Sequence, residues 1–448
     1  MSSPVGAGRG TDIAVIGAGI LGASTAYLLA SFSRLKVTLL ESEMHAGVHS
    51  SSRNTGVIHR PFYLNPSKKA IFAKAANASF PLWREMSAKY GLPWKKTGTV
   101  EVALDEDGLK TIEDYGRFAL VNGMDESEFQ VMDKSNMLGL EGSLAGLGAF
   151  FSRNDACVSF GDYTRKLLDL CPGDSMEVLY GHRVTEIDAH DGTIITRDSN
   201  GRLGRLEAGC ILNVSGGEAL RLARMSGAAR EFTVLHFRGD YWKVGQGISQ
   251  PPVHNIYSVP RHSEYPFLDP HYVIRHDGSA EIGPTASVVL GPYRYPVGDR
   301  GMRKGPLDLL SGPIMPKIRL FRNREFLSLV REEWRSSVSR AQMARRIQKF
   351  LPGMDERYLT TRGLSGIRHN LVNRSGFVPE AITVTEGRSF HVLNYNSPGA
   401  TGAPAYAAYV IGKMVSSGLM DPKKMDLNAG KDKMWGNSAD NLFSVMGF

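Results

Sequence analysis

The sequence predicts an α/β protein made of a dinucleotide-binding parallel sheet and a second part that is mostly antiparallel sheet plus helices. Three stretches carry this reading. Residues 12–41 run Asp-Ile-Ala-Val-Ile-Gly-Ala-Gly-Ile-Leu-Gly into an Ala-rich helical segment and then Lys-Val-Thr-Leu-Leu-Glu, the order strand, turn, helix, strand, acid. Residues 232–283 alternate and are rich in aromatics, as antiparallel strands are. Residues 389–415 read as an apolar strand, a Pro-Gly turn and a helix of small residues.

In the first stretch the apolar run 13–16 is a buried parallel strand, and Gly17, Ala18, Gly19, Ile20, Leu21 and Gly22 form the G-x-G-x-x-G turn. Gly17 permits the tight turn, Gly19 admits a pyrophosphate to the helix N-terminus, and Gly22 lets helix and strand pack closely. Glu41 ends the second strand, where a carboxylate accepts the two hydroxyls of an adenosine ribose and repels a 2′-phosphate, which disfavours NADP.

The remaining elements follow in order. After a Ser, Gly and His-rich loop over 42–61, helical spacing covers 67–90, a strand 99–104, a helix 107–122, and a strand emerges from 144–151. Residues 161–171 read as helix, 176–180, 184–188 and 193–197 as strands, and 205–214 as a strand ending in Ser-Gly-Gly before a helix over 218–225. The alternating region contains strands at 234–244, 254–259, 271–275 and 280–283. Residues 317–349 are strongly basic with helical spacing, and Leu320, Phe321, Leu327, Val330, Trp334, Val338 and Ile347 form the expected core-facing stripe. A strand at 389–395 and a helix at 403–415 close the pattern, and 416–448 is expected to be a tail or surface arm. A discontinuous cofactor domain is therefore expected from 1–61, 150–225 and 355–415, with a substrate domain from 62–149 and 226–354.

A chain of 448 residues can bury a substantial core, and no apolar run is long enough to cross a bilayer. A short polar start before the first core strand leaves no room for a signal or transit peptide, so a cytoplasmic location is expected. The net charge of +8 is concentrated in 317–349, which suits either a solvated helix face or peripheral contact with anionic lipid. No motif supports nucleic-acid binding. Cys157, Cys171 and Cys210 are scattered, so neither a disulfide framework nor a metal site is expected. Oligomeric state is not readable.

The chain leaves the dinucleotide unit after Glu41 through a long loop, and no second G-x-G-x-x-G follows. That arrangement resembles the glutathione-reductase-type, Rossmann-like FAD-binding fold, with the substrate itself as reductant. Gly47 to Tyr63, G-V-H-S-S-S-R-N-T-G-V-I-H-R-P-F-Y, is similar to the loop of D-amino-acid-oxidase-like flavoproteins, and most resembles the L-2-hydroxyglutarate dehydrogenase and oxidase pattern G-H-N-S-G-V-I-H-A-G-x-Y. Phe237-Arg238-Gly239-Asp240-Tyr241, Pro266-Phe267-Leu268, Ile282-Gly283-Pro284, Gly366-Ile367-Arg368 and Ser397-Pro398-Gly399-Ala400-Thr401 continue the resemblance in order along the chain.

The resemblance implies oxidation of a small anionic 2-hydroxy acid to a 2-oxo acid, with FAD held non-covalently as hydride acceptor and a quinone or oxygen as final acceptor. His59 is the expected base and His369 its alternative. Arg238, Arg368, Lys69 and Arg60 are candidate clamps for the acid. Tyr241 and Tyr257 are candidate hydroxyl donors. Besides the glycine turn and Glu41, the implied FAD contacts are Ser42, Ser50, Ser51, Ser52, Asn54, Thr55, Gly56, Val184, Ser215, Gly216, Gly366, Arg368, Pro398, Gly399, Ala400 and Thr401. The helix N-terminus at the last four suits the flavin pyrimidine edge, where its amides stabilise the anionic reduced form. His45 and His49 are positions where a covalent tether is conceivable.

Arg53, Thr55 and Arg60-Pro61 depart from the family's His, Ser and Ala-Gly, which loosens the substrate assignment more than the fold. An amine or amino-acid oxidase and a non-catalytic flavin-binding protein are the alternatives.

Overall fold

The computed structural model describes residues 9–261, 265, 269–296, 298–299 and 311–447. Pro266-Phe267-Leu268 therefore lies outside the described residues.

The first strand, Arg9–Ile16, is central. It pairs in parallel with Val37–Leu40 on one side and Leu203–Asn213 on the other. Met176–Leu179 and Ser389–Leu393 extend the parallel sheet at its two ends. Five parallel strands thus come from distant parts of the chain, and the hairpin Arg183–Asp188 with Thr193–Arg197 adds antiparallel strands beside Leu203–Asn213. Their apolar runs suit a sheet covered on both faces.

Ile20–Phe32 is buried along its whole length against this sheet. A Cβ at Gly22 would stand 1.8 Å from the Gly17 carbonyl, so only glycine lets this helix sit on the turn. Gly399–Ser416 packs beside it and against Ala70–Tyr90. That crossing is close because its contacts are small: a Cβ at Gly402 would lie 3.0 Å from Ala75.

The second part is an eight-stranded sheet in the order Leu359–Arg362, Trp242–Val244, Ala280–Gly283, His271–Ile274, Asn255–Ser258, Thr99–Ala103, Gly148–Ser152, Phe129–Asp133. Every neighbouring pair is antiparallel except Asn255–Ser258 with Thr99–Ala103. A smaller sheet joins Ser287–Val289, Thr233–Gly239, Gly366–Asn373 and Gly376–Phe377. The mixed α/β class with a mostly antiparallel second part is as the sequence predicts.

Three local expectations are corrected. The run 234–244 is two strands in different sheets, because the chain bends at Asp240, whose buried carboxylate accepts from Arg238, Ser337 and Ser365. The basic segment is three helices, Ile314–Arg322, Arg324–Val338 and Arg340–Ile347, the latter two capped by the side chains of Asn323 and Ser339. Each break resets the helical phase, so Leu327, Trp334 and Val338 are exposed while Phe326, Met343 and Ile347 face the core.

The stretch 416–447 is not a free tail. Trp435, Leu442 and Phe443 are buried in the same apolar cluster as Tyr27 and Trp83. Trp435 meets both aromatic rings edge-on and donates to the Leu82 carbonyl at 3.0 Å, and the Tyr27 hydroxyl donates to the Met434 carbonyl at 2.8 Å.

Candidate active site

One continuous cavity runs from the glycine turn, across the 41–55 loop, to the face of the eight-stranded sheet. At its near end Gly17 has φ +107°, and a Cβ there would stand 2.8 Å from Ser215 Cα, so the turn requires glycine. The helix opened by Gly19 has no side-chain cap. Its Ile20 amide reaches the Ser51 hydroxyl at 2.9 Å, and the first turn borders the cavity with its positive end. The Glu41 carboxylate accepts from Ala18 N and Glu43 N, each at 2.8 Å, which holds it at the strand end.

Gly17, Gly19, Ile20, Leu21, Glu41, Ser42, Ser50, Ser51, Asn54 and Thr55 line this cavity. Val184, Ser215, Gly216, Gly366, Arg368, Pro398, Gly399, Ala400 and Thr401 line it as well. Four expected contacts do not, and their side chains or backbones serve the loop itself. Ala18 is held on Glu41, and Gly22 carries the helix packing. Ser52 donates to the Gly47 carbonyl at 2.5 Å, and Gly56 adopts φ +74° against the Val158 carbonyl. Unforeseen lining residues include Arg183, Tyr293 and His49, the last hydrogen-bonded to Glu43 at 2.9 Å and Tyr295 at 3.2 Å.

Gly399–Ser416 also begins without a side-chain cap, and residues 398–401 border the cavity at its N-terminus. Thr401 ties this helix to the base loop: its hydroxyl accepts from His59 N at 3.4 Å and its carbonyl accepts from Trp83 Nε1 at 2.8 Å.

The far end is bounded by His59, Tyr63, Thr99, Glu101, Tyr257 and Arg368, with Tyr241 and His271 beside them. His59 Nδ1 lies 2.7 Å from Asp155 Oδ2. That carboxyl is fully buried and also accepts from Arg60 N at 2.9 Å and Ser152 Oγ at 2.6 Å. A carboxylate only accepts, so the proton sits on Nδ1 and Nε2 is left with its lone pair, 3.4 Å from the Tyr257 hydroxyl. Tyr257 is stacked on His271 at 4.0 Å.

Burial governs the electrostatics here. It pushes the Tyr241 phenol up to about 12, Tyr63 and Tyr257 well above their ordinary value, and His271 down to about 3. It also lowers Arg368, opposed by the Tyr241 and Tyr63 hydroxyls. The Glu101 carboxyl is pushed up to about 8 by burial and then by Asp155. Glu101 and Asp155 were missed in the sequence. Asp155 stands 96 residues from His59 with no motif around it, whereas an acid inside the wholly buried strand Thr99–Ala103 is a visible anomaly.

Four candidate residues are displaced from the reacting end. Arg238 alternates to the opposite strand face from Phe237 and Gly239 and is paired with Asp240 at 2.9 Å. Arg60 points away to Glu128 at 2.8 Å and stacks over Phe80. Lys69 donates to the Pro379 carbonyl at the start of Ala70–Tyr90. His369 does border the cavity, but beside Gly217, with its Nδ1 2.8 Å from His236 Nδ1. Burial holds it neutral, and it is not grouped with His59. The family-divergent Arg53 is engaged by Asp299 at 2.7 and 2.9 Å.

Among the described residues no group of three or more His, Cys, Asp or Glu side chains is arranged to hold a metal. No described helix is long and apolar enough to cross a membrane.

The model of the DAO family, FAD dependent oxidoreductase, matches residues 12–412. The chain belongs to this FAD-dependent oxidoreductase family. Its relatives include the L-2-hydroxyglutarate dehydrogenases of Escherichia coli K12 and Caenorhabditis elegans, each 27% identical and covering 90% of this chain and 93% of their own length. The human mitochondrial protein of that name is 24% identical, covering 89% and 87%. Among solved structures, the FAD-bound L-alpha-glycerophosphate oxidase of Mycoplasma pneumoniae superposes with TM-score 0.70 at 19% identity, covering 90% of this chain and 94% of that one. Glycine oxidase from Geobacillus kaustophilus gives TM-score 0.65 at 17% identity, covering 94% and 98%. These two likenesses speak for the fold.

The residues fit the family's cofactor. The glycine-only turn, the ribose-facing Glu41 and two uncapped helix N-termini share one cavity that reaches His59.

Proposed function

We propose that this flavoenzyme oxidises a small 2-hydroxy acid, of the L-2-hydroxyglutarate kind, to its 2-oxo acid. The observation that carries the reading is the His59–Asp155 pair, opening with Arg368 into the cavity that also holds the dinucleotide turn. The full-length likeness to L-2-hydroxyglutarate dehydrogenases supports a hydroxyl rather than an amine as the oxidised group.

Residues 17–21, 41–42, 50–55, 215–216 and 398–401 hold FAD, without a covalent link. When bound, FAD supplies the two-electron acceptor for the hydride on the substrate's C2. The protein does the rest. Arg368 takes the C1 carboxylate as a bidentate partner. His59 Nε2 receives the hydroxyl proton, at the place the Tyr257 hydroxyl marks. Asp155 fixes the imidazole tautomer and balances the charge that the ring gains. The enclosing Tyr63, Tyr241 and Tyr257 exclude water from the proton transfer. A quinone or oxygen closes the turnover as final acceptor.

The test is anaerobic mixing of the holoprotein with both enantiomers of 2-hydroxy acids and with amino acids while flavin absorbance is followed. Bleaching by an L-2-hydroxy acid is expected. Bleaching by amino acids alone would replace this reading with an amine oxidase, and bleaching by none would remove catalysis of either kind.

A further inference from the structure

Glu101 is used by no step above. It is 7% exposed, lies in the middle of Thr99–Ala103, and lines the reacting end of the cavity. Its register partners are Tyr257 on one side and Phe150 on the other. The titratable groups in electrostatic reach are Asp155, Tyr63 and Tyr115. Its carboxyl makes no hydrogen bond or ion pair with any described residue, although nearly every buried carboxyl finds one.

Charge around this end is otherwise matched. Asp155 is balanced by His59, Glu128 by Arg60, Glu281 by Arg275, Asp299 by Arg53 and Asp240 by Arg238. None of those arginines can turn to a ligand without stripping a buried carboxylate of its partner. Arg368 is the cation that borders the reacting end, and one guanidinium accommodates one carboxylate in bidentate fashion.

With C1 on Arg368 and the hydroxyl on His59, the wall left for the remainder of the acid is the strand that carries Glu101. We infer that Glu101 is a specificity-determining residue, which disfavours a second carboxylate and selects a 2-hydroxy acid whose far end is uncharged and polar, such as an amide. The inference rests on the hydroxy-acid reading. It also narrows that reading, because it separates this site from one built for a dicarboxylate. Two buried carboxylates side by side repel, and one must take up a proton for both to stay. A neutral Glu101 instead gives its proton to an amide or hydroxyl oxygen, which supplies the missing partner. Burial favours that neutral form at pH 7.

Three acids of one chain length test this: L-2-hydroxyglutarate, its 5-amide and L-2-hydroxypentanoate. The corresponding 2-oxo acids serve as equilibrium ligands of the holoprotein by calorimetry. In the native protein at pH 8.5 the amide is expected to bind and react about tenfold or more better than the dicarboxylate. The dicarboxylate is expected to weaken, relative to the other two, as pH rises through about 8. Glu101→Gln removes the charge with little change of shape, and should cut the amide-over-dicarboxylate preference to within about threefold and abolish its pH dependence. A native preference for the dicarboxylate that Glu101→Gln leaves unchanged would overturn the inference while the hydroxy-acid reading stands. If no hydroxy acid reduces the flavin, that reading fails, and the 2-oxo acid affinities still decide what Glu101 selects. Should Glu101→Gln not fold, the pH series on the native protein decides alone: parallel curves for amide and dicarboxylate would overturn the inference.

Discussion

Replacing Glu101 by Gln should make the folded protein more stable, by an amount that grows with pH. In the fold burial lifts this carboxyl from 4.5 to about 8, with Asp155 adding to the effect. Below about pH 4.5 both folded and unfolded chains carry the proton, and the residue contributes no pH dependence. Between 4.5 and 8 the unfolded chain releases the proton and the folded chain keeps it, so stability falls as pH rises. At roughly 1.4 kcal/mol per unit, the native protein is about 3 kcal/mol less stable than Glu101→Gln at pH 7 and about 5 kcal/mol less at pH 8. Above that the folded carboxyl ionises too and the difference levels off. Water admitted to the cavity reduces both figures, so they are upper values. Urea unfolding of native and variant holoproteins between pH 5 and 8.5, with FAD in fixed excess, measures the difference. A gap that does not change with pH would show that Glu101 is not held neutral, and the account of its surroundings would be wrong.

Other expectations concern the dyad, the displaced arginine, the C-terminal segment and the buried histidines. His59→Asn should slow anaerobic flavin reduction by about 10²–10⁴ with FAD content unchanged; an unaltered rate would move the base elsewhere. Asp155→Asn should cause a comparable loss by presenting the wrong tautomer, visible as a lower reduction rate at saturating substrate rather than as weaker binding. Arg238→Met should leave substrate affinity intact and cost about 3–5 kcal/mol in urea unfolding, because Asp240 keeps its charge in a dry site; a raised KM with unchanged stability would return Arg238 to the substrate. Trp435→Ala should cost about 3–5 kcal/mol in the same assay, a value near zero refuting its place in the core. His271 and His391 are lowered by burial to about 3 and about 4, so the unfolded chain alone takes up protons below about pH 6.5. Stability should therefore fall as pH drops below 6.5, and His391→Gln should flatten that slope in unfolding measurements at pH 5 and 7.

The parts of the fold legible in the sequence are those whose signal is local. The turn from Gly17 to Gly22 needs glycine for reasons confined to six residues, and Glu41 follows at a strand end. The reacting end is not local. Whether Arg238 meets substrate or Asp240 depends on a strand register one residue either way, and composition does not carry that parity. Asp155 reaches His59 only because Val57–Ile58 pairs with Ala156–Cys157, two strands of two residues each. Arg60 looked like a clamp because it follows His59, yet the chain direction there sends it to Glu128. The helical stripe over 317–349 fails for a different reason, since Asn323 and Ser339 stop and restart the helix and shift its phase. The segment 416–447 reads as polar on average, and its few buried side chains matter more than that average.

The five parallel strands also order events in time. Met176–Leu179 and Leu203–Asn213 emerge from the ribosome long after the glycine turn, and Ser389–Leu393 with the helix Gly399–Ser416 later still. During synthesis the N-terminal unit therefore waits, with an apolar helix uncovered, for a strand made more than 350 residues later. The adenine half of the cofactor has its turn from the outset, but the wall at 398–401 does not exist until the chain is nearly finished. Tight flavin capture is thus an event that follows translation, and a nascent chain arrested before residue 389 should retain no yellow colour after gel filtration.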